Sequence, residues 1–353
     1  MRRKSQTVSG RLLLAVVVVA CPASRHLAAQ TNSSTTNKPH WAVPRTPDGQ
    51  PDLQGVWANN VATPLQRPSQ LAGKPTLSSA EMARLQTAAA KIFSGTGDAA
   101  FGDEVYEAVV KAAFSDGKSF TSSDGRTGDY NQFWLPDRYF ENRTSLITDP
   151  ADGRLPPLTS EAAARKQRQP NLFENSKADS WEDRGLSERC ITFGSPQLLA
   201  GYNSYYQIVQ SRDAVAIIME TIHDTRIVPL DGRPHVGPEI RQWLGDSRGH
   251  FEGDTLVVET TNYSRKGPFM GSTEQVHITE RFTRTAADTL EYRVTVDDPR
   301  TWTRPWTAMI PLKHTDEKLY EYACHEDNIG LYGILSGARA EESAGHTTKA
   351  GSE

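Results

Sequence analysis

Between Tyr205 and Glu326 the chain is cut into short β-branched and aromatic runs: YYQIVQ, AVAIIMETIH, TRIVPL, GDTLVVETTNY, EQVHITERFTR, TLEYRVTV, WTAMIPL and KLYEYACHE. Most carry apolar side chains at alternate positions, and turn residues separate them. Eight such runs within about 120 residues leave no space for the helical crossovers that a parallel sheet needs. The pattern predicts an antiparallel meander that closes as a lipocalin-like barrel or stays a curved sheet. GHFEGDTL predicts a tight hairpin turning at Gly253-Asp254.

The first half reads differently. QTNSSTTNKPHWAVPRTPDGQPDLQGVWANN, residues 30–60, is rich in turn formers and predicts extended chain pinned by Trp41, Leu53, Val56 and Trp57. LSSAEMARLQTAAAKIF predicts a helix capped by Ser78, with Glu81 three residues on. FGDEVYEAVVKAAF and TSEAAARKQRQ predict two more, the latter capped by Thr159 or Ser160. The mainly β fold is thus expected to have a helical and irregular N-terminal half. The boundaries are a leader over 1–29, a wrapping region over 30–185, a β domain over 186–341 and a disordered tail over 342–353.

The leader follows from Arg2, Arg3 and Lys4, the apolar run LLLAVVVVAC and the small residues up to HLAAQ. That is a secretory signal pattern with cleavage after Ala29, and its apolar run is too short to span a bilayer. VVAC is a rival site, at which Cys21 would carry a lipid anchor. Residues 1–29 hold five of the 39 Lys and Arg and none of the 43 Asp and Glu. The rest therefore has 34 basic and 43 acidic side chains, a net charge of −9, which argues against nucleic acid as a partner. A periplasmic or secreted chain that keeps Cys190 and Cys324 is expected to bridge them, closing a loop of more than 130 residues.

PRTPDGQPDLQGVW, RTSLITDPADGRLPPL, ERCITFGSP, IRQWLGDSRGHFEGDTLVVETTNY, DPRTWTRPWTA and YEYACHEDN resemble the signature segments of a large family of exported bacterial proteins of unassigned function. The resemblance spans nearly all of the chain beyond the leader. It implies export and a shared architecture, and it carries no catalytic residue over.

Candidate chemistry has to come from the residues themselves. GDSRG matches G-x-S-x-G by letter, but a nucleophile elbow needs a strand before the serine and a helix after it, so Ser247 is a weak nucleophile candidate. Neither a metal-ligand spacing nor a phosphate loop is present, and no cofactor is expected. If YEYACHEDN is a strand, Cys324 and His325 face opposite ways and cannot pair, leaving Cys324 structural and His325 available to a site. His223, after AVAIIMETI, shares a face with Val215, Ile217 and Met219. Glu280 falls among Val276, Ile278 and Phe282, where a carboxylate must be paired, protonated or functional. The opposite face carries His277 and Arg281; if that face lines a barrel cavity, those two are the site residues and Glu280 pairs outside. Arg304 between Trp302 and Trp306 suggests a flat platform for a sugar or aromatic ring, or else a rim that closes the core. RQWLGDSRG sets Arg241, Trp243, Asp246 and Arg248 in a loop before the hairpin.

Two functions are consistent with this. In one, an enzyme processes a small organic or saccharide substrate in a barrel cavity by hydrolysis or elimination. Glu280 and His223, His277 or His325 serve as acid and base, and Arg226, Arg241 or Arg281 holds an anionic group. In the other, a non-catalytic module binds a ligand or glycan on the tryptophan platform. Convergence of histidine and glutamate side chains in one pocket separates them.

Overall fold

The computed structural model describes residues 41–93, 103–114, 138–168, 178–198, 200, 203–267, 269–324, 326 and 329–344. The leader, its cleavage site, Cys21 and His325 lie outside the described residues. Among the described residues, no helix is long and apolar enough to cross a membrane.

Ten strands form one antiparallel sheet: β1 (Gly55–Ala58), β2 (Ile147–Asp149), β3 (Tyr205–Gln210), β4 (Ala214–Met219), β5 (Thr225–Pro229), β6 (Asp246–Glu252), β7 (Thr255–Thr261), β8 (His277–Ala286), β9 (Thr289–Asp297) and β10 (Trp306–Thr315). The order is β5-β4-β3-β1-β10-β9-β8-β7-β6, with β2 on β10. The hairpin turns at Gly253-Asp254 as expected, with Glu252 opposite Thr255. The helices are α1 (Ser79–Phe93), α2 (Asp103–Phe114), α3 (Ser160–Arg168) and α4 (Ile329–Ser343). The N-terminus of α1 is capped as its sequence suggests: the Ser78 hydroxyl donates to Glu81, and the Glu81 amide donates back to Ser78 Oγ.

The sheet is curved, and its ladder does not close into a barrel. β5 and β6 share no ladder, yet their edges touch: a Cβ built on Gly249 of β6 would sit 2.7 Å from Val228 of β5 and 3.0 Å from Leu230. The chain from Leu230 to Gly245 runs past this seam. Asp246 latches it, accepting hydrogen bonds from His235 Nδ1 at 2.8 Å and from the Val236 amide. Arg248 adds a bond to the Pro234 carbonyl.

Two expectations need correction. First, β1 comes from the segment read as pinned, extended chain, and it lies in mid-sheet between β3 and β10. The sheet therefore crosses the boundary drawn at residue 186. Second, the described residues of KLYEYACHE form no strand, and α4 follows, reaching Ser343 in the expected tail. Its amides at Tyr320 and Tyr322 are taken by the Glu220 carboxylate and by His223 Nε2 in place of a neighbouring strand.

The inner face of the sheet is packed solid with Trp57, Tyr206, Ile217, Val258, Phe282, Tyr292 and Ile310, each at most 1% exposed. Tight turns at 211–213, 253–254 and 287–288 close one end of the sheet. The longer excursions at 190–204, 220–224, 262–276 and 298–305 gather at the other. Gly249→Ala forces a methyl into the seam against Val228 and is expected to lower stability by about 1–3 kcal/mol in urea unfolding. Gly333→Ala, where a Cβ meets nothing within 4 Å, is expected to be neutral or stabilising.

Candidate functional site

Glu280 is fully buried, as its place on an apolar face demanded, and its partner lies across the interior. Arg226 of β5 grips it with two parallel bonds, Nη1 to Oε2 at 2.5 Å and Nη2 to Oε1 at 2.8 Å. The Tyr292 hydroxyl donates to Oε1 at 2.5 Å. Burial pushes the Tyr292 phenol well above its ordinary pKa, so it remains a neutral donor. A carboxylate held this way is already matched by a cation, and both terminal nitrogens of Arg226 are committed to it.

The remaining acid–base candidates do not meet it. His277 and Arg281 point outward from β8, because strand alternation puts them opposite Glu280. There His277 faces Glu259 at 3.9 Å, and Arg281 pairs with Glu252 at 2.5 Å. Trp302 and Trp306 pack edge to face, 5.7 Å apart, at 3% and 0% exposure. They close the core and form no open platform, while Arg304 turns out to Asp149 at 2.7 Å. Arg241 donates to the Tyr263 and Glu274 carbonyls, and Trp243 packs on Gly267; both hold the 262–276 excursion in place. Ser247 is buried, 2.9 Å from the Thr260 hydroxyl, with a strand continuing after it where an elbow requires a helix. A surface pocket of ≈ 500 Å³ beside α1, lined in part by Lys74, Glu81 and Phe114, holds none of the expected site residues.

A different constellation forms at the loop-bearing end, around the turn between β4 and β5. The apolar run of β4 stops at Met219, so Glu220 and His223 leave its face. Ile222 and His223 both adopt left-handed backbone, at φ 57° and 55°. A β-branched residue there costs about 1–3 kcal/mol and persists only where its surroundings enforce it. Those surroundings are two buried carboxylates. Glu220 accepts the Tyr320 amide at 2.9 Å, and Asp224 accepts the Thr192 hydroxyl at 2.6 Å and the Phe193 amide at 3.1 Å.

The two segments so captured are also joined covalently. Cys190 and Cys324 form the expected disulfide, with Cα atoms 5.7 Å apart. His223 Nε2 accepts the Tyr322 amide at 3.0 Å, which leaves its ring proton on Nδ1. Around this turn Phe193 and Tyr320 stand 53% and 68% exposed. Trp181, 52% exposed, lies under the Arg189 guanidinium at 4.6 Å.

Local pattern reading misses this group. Phe193 and Tyr320 carry no periodic signal, and the two acids of METIHDTR look like the polar end of a strand. Nor did sequence single out His235, whose imidazole Asp246 orients. Among the described residues, no group of three or more His, Cys, Asp or Glu is placed to hold a metal ion. Comparison with family models, with curated proteins and with solved structures finds no match to this chain.

Desolvation raises the pKa of both Glu220 and Asp224 above their ordinary values of 4.5 and 3.8. A carboxyl whose pKa rises on folding adds stability that is complete below its unfolded pKa. That stability is lost as pH climbs through the raised value. Asp224→Asn retains an acceptor oxygen and removes the titration. Its melting temperature relative to the unsubstituted protein is therefore expected to increase from about pH 4 to about pH 7. Scanning calorimetry across that range checks the slope.

Proposed function

We propose that this is an exported, non-catalytic binding module that holds a saccharide or aromatic ligand against Phe193 and Tyr320. One observation carries the reading: two large rings are held in solvent around a single turn, on segments fixed by buried carboxylates and a disulfide. Aromatic rings left in water stabilise no core, and a rigid pair offers stacking area at little conformational cost. The exposed His223, which accepts the Tyr322 amide, adds a polar group at the same turn. The packed interior supports the same choice, since a sheet filled with side chains offers no barrel cavity for substrate. Export is supported by the leader pattern, by the disulfide and by the resemblance to exported bacterial proteins. Placement is periplasmic or secreted, with lipidation at Cys21 as the rival to cleavage after Ala29.

A second reading keeps hydrolysis or elimination and moves it to the seam. Asp246, 5% exposed, holds His235 by Nδ1, so the neutral ring presents Nε2 as a proton acceptor, the arrangement of a general base. The two readings separate in one experiment on the purified mature protein. Binding is measured by calorimetry against a glycan and aromatic-acid panel, and turnover against glycosides and esters. Phe193→Ala and Tyr320→Ala are each expected to weaken binding about tenfold, about 1.4 kcal/mol per ring, with the melting temperature unchanged. Undiminished binding in both variants contradicts the module. Turnover that His235→Ala abolishes establishes the enzyme.

A further inference from the structure

Three deeply placed arginines have different fates. Arg226 is matched by Glu280. Arg67, 5% exposed, has no acid partner, but its guanidinium is bonded to Thr144 Oγ1 and to the Ala151 and Asp152 carbonyls. Arg138 has neither. Among the described residues, its buried Nη1 and Nη2 have no hydrogen-bond partner and no carboxylate pairs with it. The neighbouring acid, Glu141, is committed to Arg143 through two bonds.

Arg138 precedes Tyr139, whose backbone pairs with Asn60 and Ala62 just beyond β1. It feels the Tyr205 phenol, and Tyr205 stands opposite Ala58 on the face of the sheet away from the core. The ring of Tyr139 lies 5.3 Å from Lys313 Nζ, a cation that also pairs with Asp288. Desolvation drives the Arg138 pKa down to about 10, the response of a cation buried with no counter-charge. A buried guanidinium with an unbonded two-nitrogen edge is strongly disfavoured by itself and strongly favoured with a planar or tetrahedral oxyanion across that edge. The residue as a whole is partly exposed while its two terminal nitrogens are closed off, so an anion reaches them by displacing the groups that cover them.

We infer that Arg138 anchors a binding subsite for a two-oxygen anionic group, a carboxylate or a phosphate, beside Tyr205. The fork of Nη1 and Nη2 supplies both donors, within reach of the Tyr205 phenol's field. Lysine could not replace it, because an ammonium offers a point charge with no fork. The inference does not rest on ring binding at Phe193 and Tyr320, and it holds for either reading above.

The test is thermal shift and calorimetry on the mature protein with sodium benzoate, inorganic phosphate and chloride at matched ionic strength. Benzoate or phosphate is expected to raise the melting temperature saturably while chloride does not, and the anion that does so identifies the group. Arg138→Met is expected to lose at least tenfold in that affinity while melting no lower than the unsubstituted protein, since it removes a buried unpaired charge. Arg138→Lys is expected to lose affinity to a similar degree, and Phe193→Ala to keep it. The inference is overturned if neither oxyanion differs from chloride in the unsubstituted protein, a result that needs no variant to fold. It is overturned equally if Arg138→Met binds as before, or melts more than about 5 °C lower, because the guanidinium then has a structural partner.

Discussion

The Arg226–Glu280 pair is the constraint on which the rest of this architecture depends. Taking two charges out of water costs several kcal/mol each, and only a close bidentate geometry with further hydrogen bonds offsets it. Here the geometry is met, and Tyr292 supplies a third bond. The pair joins β5, at one edge of the sheet, to β8, two strands in from the other. It therefore holds the curl of an open sheet from the inside, at the place where ladder bonds are lacking. On the outside the same seam is held by Asp246 with His235 and Arg248. A sheet held by two polar clasps needs no closed barrel.

Closing the interior with side chains leaves the loop-bearing end to present the rings of the proposed binding surface. Tyr206 and Tyr263 run from the core to that end and donate to the Gln197 and Ser195 carbonyls. They fix the 190–204 excursion that carries Phe193 and Cys190. The disulfide then ties in the segment bearing Tyr320, and Glu220 and Asp224 fix both segments to one turn. Each link passes rigidity outward from the buried pair to the exposed rings. Rigid aromatic presentation of this kind makes binding cheap in conformational entropy, and it makes no demand for acid–base chemistry.

Much of this was legible from alternation alone. The period of two put Glu280 and His277 on opposite faces without saying which face turned inward, and the apolar runs marked β3, β4, β5 and β7 to β10. What escaped was long-range. GVWA is too short to show a period, so β1 looked like loose chain although it is the central link between β3 and β10. YEYACHE has the composition of a strand, but its amides find the Glu220 carboxylate and the His223 ring, which no local pattern announces. The end of β4 was overrun because Ile222 and His223 make the turn in left-handed backbone without glycine, asparagine or proline to signal it. Trp302 and Trp306 could be read as a platform or as a rim, and the structure spends both on the core.

A double-mutant cycle on Arg226 and Glu280, read by urea unfolding, tests the central claim most directly. If the pair clasps the sheet, Arg226→Met and Glu280→Gln each cost about 3–5 kcal/mol, because either leaves a buried group unmatched. The double variant then costs at least about 2 kcal/mol less than the sum of the two. Additive losses, or a Glu280→Gln protein as stable as the original, would contradict the account and return Glu280 to the list of residues kept for chemistry.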